Sequence, residues 1–187
     1  MPAAMRNDLR SALLVIDVQA GIARGKGIYA GWPGILANIV DLIARARSSH
    51  LPVIFVQHDG GPGHRLAPGS DGWALCPELG VLPSDTVIRK TASDAFFGTG
   101  LEAALRARGI GHLIVAGCMT EYCVDTTVRR AVSLGFDVTL AGDAHGTWDS
   151  PTLRAEQIIG HHNGLLDQFS AGNAAVTVTP TSAVAFA

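Results

Sequence analysis

Charge is what this sequence has least of: 16% of its 187 residues are Asp, Glu, Lys or Arg, against 48% hydrophobic. So apolar a chain collapses, which excludes disorder, and so few charges imply that some apolar surface is covered by another copy; a homo-oligomer, dimer or tetramer, is expected. The 14 basic and 16 acidic residues leave a net charge of −2. That balance makes no basic stripe or polybasic patch, so nucleic acid and membrane are excluded as partners and a small molecule is expected. No stretch stays apolar long enough to cross a bilayer, and the opening MPAAMRNDLR lacks the apolar core of a signal peptide; the expected compartment is the cytoplasm. Cysteines number three (Cys76, Cys118, Cys123), so at least one thiol is free, and neither CxxC nor a zinc-finger Cys/His cluster occurs. GGPGH (60–64) is neither GxGxxG nor a phosphate loop. With no internal repeat or linker, residues 1–187 read as a single domain, large enough for its own core.

What is present is an alternation of apolar strands and amphipathic helices. Ser11 to Val18, continuously hydrophobic from Ala12 to Ile16, reads as a buried strand with Asp17 at its carboxyl end. Pro33 to Ser49 has helical spacing, and Leu51 to Gln57 is a second buried strand. His58 to Pro83, rich in Gly, Pro, His and Trp, reads as a long irregular loop. There follow a short strand Thr86 to Lys90, a helix Thr99 to Arg108 closed by Gly109, and a strand His112 to Gly117. A helix Thr120 to Leu134 stopped by Gly135 leads to a strand Phe136 to Leu140. A helix capped by Ser150 then runs to about Phe169, and Ala175 to Thr179 is the last strand. This order predicts an α/β fold, a doubly wound three-layer α-β-α arrangement on a mostly parallel sheet. Ligands of such sheets sit beyond the carboxyl ends of the strands, where Asp17, His58, Lys90, Met119 to Cys123 and Asp143 to His145 fall.

GCMTEYCVDTT (117–127) puts Cys123 in the first turn of a helix that leaves a buried strand. Unpaired N–H groups and the positive end of the helix dipole would stabilise a thiolate there, lowering its pKa from about 8.5, and would hold an oxyanion. A free cysteine is also a common small hydrophobe. Asp17 and Lys90 tip the balance: a buried aspartate needs a partner, and the lysine would supply it and favour ionised sulfur.

At this point the sequence resembles the isochorismatase-like cysteine hydrolases, which include nicotinamidases and N-carbamoylsarcosine amidohydrolases. The resemblance rests on LLVIDVQ (13–19), the lysine of IRKTASDAFFGTGLE (88–102) and VAGCMTEYCVDTTVRRAVSLGFDVTLAGDAH (115–145), and covers nearly the whole chain. It implies an isochorismatase-like, Rossmann-like fold and a catalytic triad of Asp17, Lys90 and Cys123. It further implies a cis peptide bond between Cys118 and Met119, and oxyanion donors in the backbone amides of Met119 and Cys123. Family members that cleave a vinyl ether lack the cysteine, so Cys123 implies hydrolysis of a C–N bond in a small amide or carbamoyl compound, with no cofactor. The competing readings are a vinyl-ether or ester hydrolase, and a binding or redox-sensing relative in which Cys118 and Cys123 respond to oxidants.

Nicotinamide-binding members carry an Asp-x-His metal motif after the second strand, from which VQHDGGPGH (56–64) departs; His58, Asp59 and His64 could still approach a zinc ion but lack the expected spacing, so they read as loop residues and no metal is expected. Gln19, His58, Phe96, Phe97, Tyr122, His145 and Trp148 are candidate pocket residues, and packing beneath the long loop accounts nearly as well for the aromatic ones and for Trp73. His161 and His162 read as packing residues, and Cys76 and Cys118 as structural thiols. Thr120, as a helix cap, would compete for the Cys123 amide; its hydroxyl is expected to turn to the Tyr122 N–H or elsewhere.

Overall fold

The computed structural model describes residues 9–24 and 31–186. Strand β1 (Arg10–Ile16) is buried from Ser11 onward, because its continuous apolar run feeds two cores at once. Ala12, Leu14 and Ile16 pack on one face and Leu13 and Val15 on the other. The remaining elements follow in order: α1 (Ala20–Ala23), α2 (Trp32–Ser48), β2 (Val53–His58), β3 (Thr86–Lys90), α3 (Leu101–Ala107), β4 (Ile110–Cys118), α4 (Asp125–Ser133), β5 (Asp137–Gly146), α5 (Ala155–Leu166), β6 (Ser170–Ala171) and β7 (Ala174–Thr179). The strands form one sheet in the order β3-β2-β1-β4-β5-β7-β6. All neighbours are parallel except the β6–β7 pair. Ile35, Ile39, Leu42 and Ile43 of α2 cover the Leu13 face, and Leu101, Leu105, Val128 and Val132 of α3 and α4 cover the Leu14 face. This is the doubly wound α/β arrangement that the sequence pattern implies. Among the described residues no helix is long and apolar enough to cross a membrane.

The strand order reverses at β1, where the chain leaves β1 toward β2 on one side and β4 lies on the other. Asp17 emerges there, flanked by the ends of β2 and β4. The crossing is tight. A Cβ on Gly117 would lie 2.1 Å from the Ile16 carbonyl oxygen, and Gly117 has φ +127°, so only glycine lets β4 approach β1 at this point.

Several elements differ from the sequence expectations. The chain turns through Ala20–Ala23 directly after β1. β5 runs on through Asp143 to Gly146 instead of ending at Leu140, with a register shift against β4 between Val115 and Gly117. The segment from Thr120 starts as a π turn, Thr120–Val124, and becomes α-helical only at Asp125. The last long helix begins at Ala155 rather than at Ser150, and ends at Leu166 rather than near Phe169. Ser150 instead closes a local turn, its hydroxyl accepting from the N–H groups of Thr152 and Leu153, while Asp149 Oδ1 accepts the Ala155 N–H. A serine hydroxyl that finds donors two and three residues on satisfies a turn as readily as a helix start.

Candidate active site

Asp17 has φ +50°, a left-handed conformation that an aspartate tolerates better than a β-branched residue. Its N–H donates to Val56 O and its carbonyl accepts from Gln19 N–H, so the exit of β1 is held on both sides. Lys90 ends β3 and pairs in register with His58 at the end of β2. Its Nζ lies 2.7 Å from Asp17 Oδ2, and the two side chains are 0% and 1% exposed. The same nitrogen donates to Ala92 O at 2.8 Å and to Cys123 Sγ at 3.2 Å, and lies 3.3 Å from His58 Nδ1. Three N–H bonds thus face four acceptors, so the lysine is fixed and fully engaged. Asp17 is the opposite case. Its carboxylate rests on the ion pair, and neither oxygen carries a hydrogen bond of good geometry among the described residues.

These surroundings set the protonation of the site. Burial raises the Asp17 carboxyl above its ordinary value, and Lys90 opposes that rise without cancelling it. Burial first, then the Asp17 charge, push the Cys123 thiol up to about 11, with Lys90 again opposing. The expected lowering by a helix N-terminus is therefore corrected: Cys123 stands in the π turn, two residues before α4 begins, and desolvation beside a carboxylate dominates. The resting sulfur is a thiol. Its neighbour Asp17 is a carboxylate unusually ready to take a proton.

A cavity of about 270 Å³ opens onto this group. Of the candidate residues, Asp17, His58, Met119, Tyr122, Cys123 and Trp148 line it. Lys90 lies behind Asp17 and Cys123 rather than on the wall. The peptide bond from Cys118 to Met119 is cis. Met119 caps the π turn, its carbonyl accepting from the N–H groups of Tyr122 and Val124. The Thr120 hydroxyl pairs with His145 Nδ1 at 2.9 Å rather than with the Cys123 amide. His145 is fully buried, its Nε2 meets Asn163 Oδ1 at 2.8 Å, and burial pushes its pKa down to about 4, so the ring is neutral and braces the π turn from behind. Burial, and then Lys90, likewise lower His58.

Four pocket candidates are placed elsewhere. Gln19 is buried beneath the loop, its amide donating to the carbonyls of His58 and Trp73 and accepting from His58 N–H. His145 braces rather than lines. Phe96 packs in the α3–α4 core, stacked on Phe136, because the chain turns inward at Ala95 where Thr127 Oγ1 accepts its N–H. Phe97 points outward, 67% exposed. Trp73 anchors the long loop by donating to Asp59 Oδ1. Asp59 is also paired with Arg89, and among the described residues no group of three or more His, Cys, Asp or Glu could hold a metal ion. Cys76 and Cys118 are buried, their thiols pushed up by burial. His161 and His162 lie edge to face on α5, away from the cavity. Sequence reasoning missed Ile22, Arg65, Leu66 and Ser93 as cavity wall and knew His64 only as a possible metal ligand. The irregular loop that supplies three of these five has no period to read.

The sequence model described as the isochorismatase domain matches residues 11–179. A streptothricin hydrolase from Streptomyces noursei is 41% identical over 140 residues, which cover 75% of this chain and 51% of that protein. The chain therefore spans about half the length of that relative. A ureidoacrylate amidohydrolase from Variovorax paradoxus (strain S110) is 33% identical over 170 residues, covering 72% of this chain and 68% of the relative. Among solved structures, an isochorismatase-family protein from Chromobacterium violaceum superposes with a TM-score of 0.83 at 33% identity, covering 97% of this chain and 94% of that one.

Proposed function

The chain belongs to the isochorismatase family, and on that premise we propose that it is a cysteine hydrolase cleaving the C–N bond of a small amide or carbamoyl compound through a thioester on Cys123. One observation carries the reading: Cys123 Sγ, Lys90 Nζ and the Asp17 carboxylate converge, from three different strand exits, at a cavity fit for a small ligand. The two relatives named for hydrolase and amidohydrolase activity support the same class of chemistry.

In the proposed cycle the substrate carbonyl lies over Cys123, and Asp17 removes the thiol proton as sulfur attacks. A carboxyl raised by burial is a stronger base than one in water, and Lys90 balances the negative charge as it moves from oxygen to sulfur. The backbone amides of Met119 and Cys123 receive the oxyanion; losing one such donor typically costs about 3 kcal/mol. Collapse breaks the C–N bond, and Asp17 returns its proton to the departing amine or ammonia. Water then enters, loses a proton to Asp17 and attacks the thioester, so that the acid leaves and the thiol is restored. No cofactor enters this cycle. The exposed Phe97 and Tyr122 rings favour a homo-oligomer, and three unpaired thiols suit the cytoplasm. Ammonia release from a panel of primary amides, N-carbamoyl compounds and ureides tests the reading. At least one compound is expected to be turned over by the wild type and by no measurable amount by Cys123→Ala; turnover undiminished in that variant would remove the thiol from the mechanism.

A further inference from the structure

The cavity wall carries a cation that the proposed cycle does not use. Arg24, Arg45, Arg47, Arg89, Arg106 and Arg129 each meet a carboxylate. Arg65 meets none: among the described residues its guanidinium has neither an ion-pair partner nor a hydrogen-bond acceptor, although it lines the same cavity as Cys123. It is not loose. Its Cζ lies 4.2 Å from the centroid of the Trp148 ring, and that indole is itself fixed by donation from Nε1 to Ile22 O at 3.3 Å. Stacking on an aromatic face holds a guanidinium in place through its charge and plane and leaves its N–H donors unengaged. Asp17 is the one acidic residue of the described lining, and Lys90 already neutralises it. A small cavity thus presents a nucleophile inside and an oriented, unpaired, bidentate anion receptor at its exposed side.

Resting on the hydrolase reading above, we propose that Arg65 is the specificity-determining residue of this site and that the substrate is a small amide or carbamoyl compound bearing a carboxylate, which Arg65 grips while the carbonyl lies on Cys123. The contact positions the substrate and takes no part in bond making. Trp148 serves as its backstop, so the indole acts through the arginine.

Two matched pairs test this: succinamate with butyramide, and N-carbamoyl-β-alanine with N-propylurea, each differing by a carboxylate in place of a methyl group. Ammonia release gives kcat/KM. The concentration that half-protects Cys123 from iodoacetamide gives binding without any need for turnover. In the wild type the anionic member is expected to lead its neutral partner by about tenfold or more on at least one readout. Arg65→Gln brings the two to within about twofold, and Arg65→Lys keeps an intermediate preference. Equal behaviour of the pair in the wild type, or a preference that survives Arg65→Gln, overturns the proposal. The two readings fail separately. An acyl adduct on Cys123 with no preference for the anion removes the arginine clamp alone, whereas a lasting preference without an adduct removes the thioester chemistry alone.

Discussion

Two polar clusters sit at opposite ends of the same sheet. At the strand starts, Ser11 of β1, His112 of β4 and Thr139 of β5 form a row in which His112 Nδ1 meets Ser11 Oγ at 2.9 Å and Nε2 meets Thr139 Oγ1 at 2.9 Å. Every ring nitrogen there has a partner, and none of the groups need carry a charge. At the strand exits, Asp17, Lys90 and Cys123 hold two opposite charges and a thiol out of water, with the carboxylate short of hydrogen bonds and the lysine surrounded by more acceptors than it has protons. A satisfied neutral row adds rigidity and has nothing left to give, while an undersatisfied charged one holds a proton that can move. On the proposed function, this contrast is what distinguishes the scaffold from the reacting groups.

Breaking that contrast should have its largest effect at the exits. Asp17→Asn keeps the shape and removes the base, and kcat on the best amide is expected to fall about a thousandfold or more. The matching change at the other end, Ser11→Ala, is expected to leave kcat within about twofold and to lower unfolding stability by about 1 kcal/mol. Comparable kinetic losses in both variants would mean that the two ends do not differ in kind.

A smaller effect sharpens the comparison through pH. His145 has a folded pKa of about 4, below the unfolded value of about 6.5, so the unfolded state binds more protons between them. Its contribution is complete above about pH 6.5 and is lost as pH falls toward 4, in total about 3 kcal/mol. His112 is also lowered by burial and leans the same way. The raised Asp17 leans the other way, because the folded state then gains its proton first. Urea unfolding of the wild type and His145→Gln at pH 7.5 and 4.5 isolates the buried ring. The variant is expected to lose much less stability on acidification; equal losses would show that His145 is not held neutral.

Much of this was legible in the chain. Runs such as Leu13 to Ile16 and Leu113 to Ala116 read as buried strands because both faces of a parallel sheet are covered, and the helical spacing of Ile35, Ile39, Leu42 and Ile43 named the face of α2. Asp17 and Lys90 stood out as charges at strand ends and Cys123 as a thiol soon after one, and the resemblance to a known family is what joined the three. The rest depends on contacts between segments far apart in sequence. A π turn has no residue signature, so the surroundings that raise the Cys123 thiol could not be foreseen. Phe96 and Phe97 are adjacent, yet one is core and the other surface, a distinction set by where Thr127 catches the loop. Arg65 looks like any polar loop residue until Trp148, 83 positions on, is found beneath it.

The central claim is that Cys123 becomes acylated. Mixing the protein with an amide from the panel, quenching in acid within milliseconds to seconds and measuring the mass of the peptide that contains Cys123 tests this directly. The account predicts a transient gain equal to the acyl or carbamoyl group, located on Cys123 and longer-lived when the water step is slowed. Steady hydrolysis with no such gain at any quench time, or with the gain on another residue, would contradict it.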